Sequence, residues 1–222
     1  LQDEVTRNIV TALAVTLTGK EQARRDQQKE ASPDAYDALL RGLEQLRRFT
    51  PETNVRAREF FERAIFIDPS YARAHANLAF TYVNEFIVES VTAQDEALQI
   101  AQMHALKALE LDPQVRQVHL TLSVIYMWMK DHERSIASAH TAIALDPNYA
   151  DAHVQLAAVL THSHITKYTL QNALLSVDAG KRLDPHFSFF YLIQEGRAYF
   201  QMRQYAQAVS RHTDASLPVR LV

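Results

Sequence analysis

The sequence has no cysteine and little glycine or proline, with 4 Gly and 7 Pro among 222 residues. The lack of cysteine excludes disulfides, thiolate metal sites and cysteine nucleophiles, and it suits a reducing compartment, so we expect a cytoplasmic protein. The scarcity of glycine and proline, beside abundant alanine, leucine, glutamate and arginine, favours helices over sheets. The sequence has no run of about 18 apolar residues and no recognisable signal peptide, so we expect no membrane partner.

An excess of charge of one sign is also lacking. The 23 basic and 26 acidic residues are well mixed and give a formal net charge of -3. No broad positive surface for phosphates is therefore expected, which argues against nucleic acid as a partner. Apolar residues make up 47% of the chain, enough for a sizeable core. The first residue is Leu1 rather than methionine, and we expect the chain to be a piece of a larger protein.

Enzyme motifs are missing as well. The sequence contains no glycine-rich phosphate loop, no serine nucleophile elbow and no pair of carboxylates with metal-ligand spacing. We therefore expect this chain to have no catalytic residue, no metal ligand set and no cofactor. It should not convert ATP or GTP by itself.

The sequence does contain an internal repeat, marked by Asp-Pro. The marker prolines follow one another at intervals of 44, 34 and 38 residues. When the third residue after each marker is counted as position 1, leucine recurs at position 7 and small residues recur at positions 8, 20 and 27. The markers are Pro69, Pro113, Pro147 and Pro185; position 7 holds Leu78, Leu122 and Leu156; position 8 holds Ala79, Ser123 and Ala157; position 20 holds Ala101, Ser135 and Ala173; and position 27 holds Ala108, Ala142 and Gly180.

This spacing has a physical explanation. Two antiparallel helices approach closely only where side chains are small, so positions 8, 20 and 27 predict the crossing points of helical hairpins. Asp-Pro ends each second helix, because the residue before proline is biased out of the helical region. The pattern resembles the tetratricopeptide repeat, a helix-turn-helix unit. That resemblance implies an all-α, right-handed superhelix of about five hairpins.

We divide the chain into a helical lead-in, residues 1–30, and a repeat array, residues 31–222. In the lead-in, Val5, Ile9 and Leu13 lie on one face of an amphipathic pattern. The last hairpin is expected to be incomplete, and two others carry insertions. The predicted repeats span residues 33–69, 70–113, 114–147, 148–185 and 186–222, and the insertions lie near residues 85–96 and 161–170.

The lead-in and the start of the array resemble a particular bacterial arrangement, in the phrases "LQDEVTRNIVTALAVTLTGKEQARR" and "SPDAYDALLRGLEQLRRFTPE". They are similar to the C-terminal tetratricopeptide region of class III adenylate/guanylate cyclases and related winged-helix transcriptional regulators. The resemblance implies a regulatory scaffold in a signalling protein whose catalytic aspartates and nucleotide pocket belong to another domain. Two alternatives stay open: a self-association module that forms a homodimer, and an enzyme fragment that completes an active site elsewhere.

Histidines recur at position 4, in His75, His119 and His153. Equivalent residues of successive repeats lie about 10 Å apart, whereas zinc ligands lie about 2 Å from one centre. We therefore favour a packing role over a metal site. His162 and His164 form a weak candidate pair, because a third ligand is lacking. The aspartates of the markers are assigned to turn chemistry.

We place the functional surface on the concave side of the solenoid, which the first helices line with positions 2, 5, 9, 12 and 13. Its centre is apolar, and exposed apolar surface usually marks an interface. The Lys and Asn pattern with which some relatives clamp a C-terminal carboxylate is missing. An amphipathic partner helix and the chain's own N-terminal helix are equally open as occupants. The inserted segment around Phe86 and Ile87 is the alternative surface. The predicted protein-binding residues are Arg73, Phe80, Val83, Gln117, Leu120, Val124, Met127, Trp128, Asp151 and Val154.

Overall fold

The computed structural model describes residues 32–48, 50–88, 94–163 and 167–216. Within these ranges every regular element is an α-helix, and consecutive helices pair into five hairpins, which confirms the predicted all-α solenoid of helical hairpins. The predicted lead-in lies outside the described residues. The helices are α1 (Pro33–Leu46), α2 (Pro51–Ile67), α3 (Ala72–Val88), α4 (Gln94–Leu111), α5 (Arg116–Trp128), α6 (His132–Leu145), α7 (Ala150–His162), α8 (Lys167–Leu183), α9 (Phe189–Gln201) and α10 (Tyr205–Ser216).

Each Asp-Pro marker forms the same turn between hairpins. The Oδ1 atom of the aspartate accepts a hydrogen bond from the backbone N–H two residues later, at 2.8 to 3.0 Å in all four cases. The aspartate's backbone carbonyl accepts a second bond from the N–H three residues later. The assignment of these aspartates to turn chemistry is therefore confirmed. They are Asp68, Asp112, Asp146 and Asp184.

The histidines at position 4 reinforce this turn. The Nε2 atoms of His75, His119 and His153 lie 3.1, 2.8 and 2.9 Å from the carbonyl oxygens of the marker prolines six residues earlier. Because a carbonyl can only accept, each ring donates from Nε2 and ties the first turn of its helix to the marker. The repeated histidine is thus a hydrogen-bonding residue of the turn, which the predicted packing role did not include.

Small residues lie at the helix crossings, as their spacing predicts. Ser123 and Ser135 are both fully buried where α5 meets α6, and the Ser135 hydroxyl donates to the Ser123 carbonyl at 2.7 Å. Ala142 is also fully buried. At Gly180 a Cβ atom would come within 2.5 Å of Cγ2 of Val154, so α7 and α8 meet too closely there for any other residue to fit without movement.

A histidine pair ties α3 to α4. The Nδ1 atoms of His75 and His104 lie 3.4 Å apart, and Tyr82 stacks on His104 with ring centroids 6.2 Å apart. Since His75 donates from Nε2, the neutral pair is joined by a proton on Nδ1 of His104. Burial lowers the pKa of both rings below 6.5. In His75 the hydrogen bond to Pro69 opposes this shift and Lys107 adds to it, and in His104 the neighbouring His75 adds to it.

The pair is expected to make stability depend on pH. The pKa values of the two rings are lower in the folded protein than in the unfolded chain. Just below pH 6.5 the unfolded chain therefore binds protons that the folded pair does not bind. The stabilisation by the neutral pair is complete above about pH 6.5, and it is lost as the pH falls toward the lower pKa values of the folded protein. We expect His104→Gln to flatten the decrease of Tm between pH 7 and pH 5, followed by circular dichroism. His140→Gln, at an exposed site on α6, is the control, and equal slopes in both variants would contradict the assignment.

Candidate functional site

Five of the ten residues predicted to line the concave groove are core residues. Leu120 packs between α6 and α7, and Met127 packs against α7. Val83 and Val124 belong to a core shared by α3, α4 and α5. The expectation that these side chains form an open apolar floor is wrong, because the first helix of each hairpin packs directly onto the first helix of the next. The five are Val83, Leu120, Val124, Met127 and Val154, and none is more than 8% exposed.

The other five predicted residues reach the surface to different degrees. Gln117 accepts a hydrogen bond from the Tyr149 hydroxyl, and Asp151 accepts one from the Tyr191 hydroxyl at 2.8 Å. Burial, with the nearby Asp151 carboxylate, raises the pKa of both phenols, so both stay donors at neutral pH. Contact of these five residues with a partner stays a prediction. They are Arg73, Phe80, Gln117, Trp128 and Asp151.

A continuous row of side chains crosses four hairpins. The ring of Phe86 meets Trp128 edge-on at a centroid distance of 5.3 Å, and Trp128 meets His162 at 6.1 Å. A guanidinium nitrogen of Arg197 lies 3.1 Å from Nε2 of His162. The four residues come from α3, α5, α7 and α9, so each of these first helices contributes one. We call Phe86, Trp128, His162 and Arg197 the aromatic row.

The protonation state of His162 fixes the electrostatics of the aromatic row. Its Nδ1 atom lies 2.7 Å from the Ala158 carbonyl, so Nδ1 donates and Nε2 accepts from Arg197. Burial lowers the pKa of His162, and Arg197 and His132 lower it further against the opposing hydrogen bond to Ala158. The row therefore consists of neutral rings that end in one positive charge.

The sequence indicated three members of the aromatic row in separate places. Trp128 was predicted for the groove, His162 occupies a groove position, and Phe86 was assigned to the alternative surface on the insertion. The structure joins them, so the two predicted surfaces are continuous. Arg197 was not predicted, because the predicted groove residues all lie on the second, third and fourth hairpins. Counting from Gly196 as position 8 places Arg197 at position 9, which also faces the groove.

A cavity of about 250 Å³ lies where α1, α2 and α3 meet. Arg58 pairs with Glu85 at its wall and lies 4.0 Å above the ring of Tyr82. The amide of Asn54 donates to the Thr81 carbonyl at 2.9 Å. These polar groups bind one another, which favours a structural role for the cavity. Among the described residues, no group of three His, Cys, Asp or Glu side chains is arranged to hold a metal ion.

No helix in the described ranges is both long enough and apolar enough to cross a bilayer.

Comparison with known sequences gives one partial relative. No family model matches the chain. A protein of Rhizobium meliloti (strain 1021) named "Putative adenylate cyclase 3" is 37% identical over 130 residues. The match covers 59% of this chain and 22% of that protein. The matched segment therefore spans less than a quarter of that relative's length.

Solved structures resemble the chain at low sequence identity. TTC0263, "a thermophilic TPR protein" of Thermus thermophilus, has a TM-score of 0.64 and 17% identity, and the match covers 82% of this chain and 89% of that one. The Pseudomonas aeruginosa pilF structure has a TM-score of 0.58 and 19% identity, and covers 83% and 76% of the two chains. At such identities the likeness concerns the fold alone.

Proposed function

Because the described hairpins have the tetratricopeptide repeat fold, we propose that this chain is a protein-interaction scaffold that does no chemistry itself. The observation that supports the proposal is the aromatic row, in which Trp128 remains 36% exposed while its apolar neighbours on α5 are buried. Surface aromatic and arginine side chains are typical of binding hot spots. A partner helix could lay an apolar stripe across the rings and place a carboxylate near Arg197.

The proposal extends to the parent protein. We infer that the scaffold belongs to a bacterial cytoplasmic signalling protein that carries an adenylate or guanylate cyclase domain elsewhere in its chain. The identity to the Rhizobium meliloti protein supports this, but the match spans only 22% of that protein. Sequencing the gene upstream of the codon for Leu1 tests it. A cyclase catalytic domain in frame is the expected result, and a winged-helix domain there would assign the chain to a transcriptional regulator instead.

Photo-crosslinking in the native host tests the binding surface. A benzophenone amino acid in place of Trp128 should crosslink the full-length protein to a discrete partner under ultraviolet light. The same amino acid at Leu175, an exposed site on α8, is the control and should not capture that partner. Equal crosslinks at both sites, or none at Trp128, would contradict the proposal. Crosslinks that map to residues 1–30 of the same molecule would show that the lead-in fills the groove and would overturn it.

A further inference from the structure

The hydrogen bond between Arg197 and His162 exists only while His162 is neutral. The Nδ1 atom of His162 donates to the Ala158 carbonyl, so Nε2 is the nitrogen that accepts from Arg197, at 3.1 Å. A protonated ring carries a hydrogen on both nitrogens and can accept from neither. One proton at Nε2 therefore removes this contact and leaves two cationic groups facing each other.

The surroundings of His162 oppose that proton. Burial of the ring lowers its pKa, and the hydrogen bond to Ala158 opposes this shift. Among the described residues, the groups whose charge acts on the ring are Arg197 on α9 and His132 on α6, and both lower its pKa further. The ring is therefore neutral at neutral pH and takes up a proton only below its ordinary pKa of 6.5.

The other helices that pack on α7 bring no described charge to His162. The α5 helix contributes the neutral ring of Trp128. The described charged side chains of α8 begin at Asp178, in the half of that helix that packs against the start of α7, where Gly180 meets Val154. His162 lies at the opposite end of α7. No carboxylate of the described residues is therefore placed to stabilise the charged ring.

Arg197 is the member of this contact that can move. Its side chain reaches the surface, and no described carboxylate acts on its guanidinium. His162, in contrast, is held by its main-chain hydrogen bond to Ala158 at 2.7 Å and by its edge-on contact with Trp128. When the ring becomes charged, the guanidinium can turn into solvent without breaking any described ion pair.

We propose that His162 is a proton-operated switch of the aromatic row. In the neutral state its Nε2 atom fixes the guanidinium of Arg197 at the end of the row. In the protonated state Arg197 leaves the ring, and the row changes from one positive charge beside neutral rings to two. A partner carboxylate would then bind more tightly at lower pH, a consequence that rests on the proposed binding function. The switch itself is a property of this chain alone.

The emission of Trp128 reports the switch without a partner. Trp128 is the only tryptophan of the sequence, and a charged imidazole quenches indole emission far more than a neutral one does. Titration of the whole chain from pH 8 to pH 5 should lower the emission, with a midpoint below pH 6.5. The emission of His162→Gln should not change over this range. His140→Gln, at an exposed site on α6, is the control and should keep the decrease.

The role of Arg197 has its own test. Arg197→Met removes the opposing charge and the hydrogen bond to neutral His162, so it should raise the midpoint by at least about half a pH unit. Arg182→Met removes the same charge at an exposed site at the far end of α8 and should leave the midpoint unchanged. Only pH values at which the circular dichroism equals that at pH 8 are compared.

Four results would overturn the switch. They are an emission that does not change with pH, a decrease that survives His162→Gln, a midpoint that Arg197→Met leaves unchanged, and the wrong tautomer at pH 8. The tautomer is read from histidine-selective nuclear magnetic resonance, in which the signal that His162→Gln removes should belong to a ring protonated at Nδ1. Unfolding in acid does not affect this last readout. None of these results depends on a crosslink at position 128, so the switch and the proposed binding function can fail independently.

Discussion

Replacing Ala142 by aspartate is expected to lower the free energy of unfolding by about 4 kcal/mol, a large part of the stability of an ordinary domain. Ala142 is fully buried and packs with Leu120 and Ala152, where α6 meets α5 and α7. A carboxylate there would lose its water without gaining a partner. Urea unfolding followed by circular dichroism measures the loss, which should appear as a lower midpoint.

Ala144→Asp is the matched control. Ala144 lies on the same helix two residues further on and is exposed, so its substitution adds the same charge without burying it. Its expected cost is under about 1 kcal/mol, from the unfavourable position of an anion near the C-terminal end of a helix. If the two variants unfold at the same urea concentration, the assignment of Ala142 to a helix crossing is wrong.

The helix crossings and turns were predictable because their causes are local. A small residue at a fixed spacing, such as Ala142 or Gly180, allows close approach whatever lies elsewhere in the chain. An aspartate before proline binds the backbone two residues later, a contact within one turn. For these features, sequence spacing is itself the physical constraint, and the structure has the predicted register.

The groove was less predictable because burial there depends on how successive hairpins pack. Leu120 and Met127 occupy groove positions of α5, but α7 covers them, and that contact joins residues more than 30 positions apart. The aromatic row has the same non-local origin. Phe86 and Trp128 meet across two hairpins of unequal length, so no fixed spacing relates them.

Glu195 departs from the repeat pattern. Counted from Gly196 as position 8, it occupies position 7, where Leu78, Leu122 and Leu156 stand in the preceding hairpins. Its side chain is only 5% exposed. One carboxylate oxygen lies 2.5 Å from Nζ of Lys181 on α8, and the other lies 3.0 Å from Nε of Arg211 on α10. The charge thus joins three helices in a place where the repeat normally has an apolar contact.

Glu195→Leu restores the leucine of the repeat but is expected to destabilise the protein by about 3 kcal/mol, because the largely buried Lys181 loses the carboxylate that it contacts. Lys181→Met should cost less, since Glu195 keeps its contact with Arg211. The double variant should lie within about 1 kcal/mol of the unaltered protein, because two apolar side chains can replace a buried ion pair with little net cost. Urea unfolding of the four proteins gives the coupling energy. Costs that simply add in the double variant would show that the two charges do not stabilise each other.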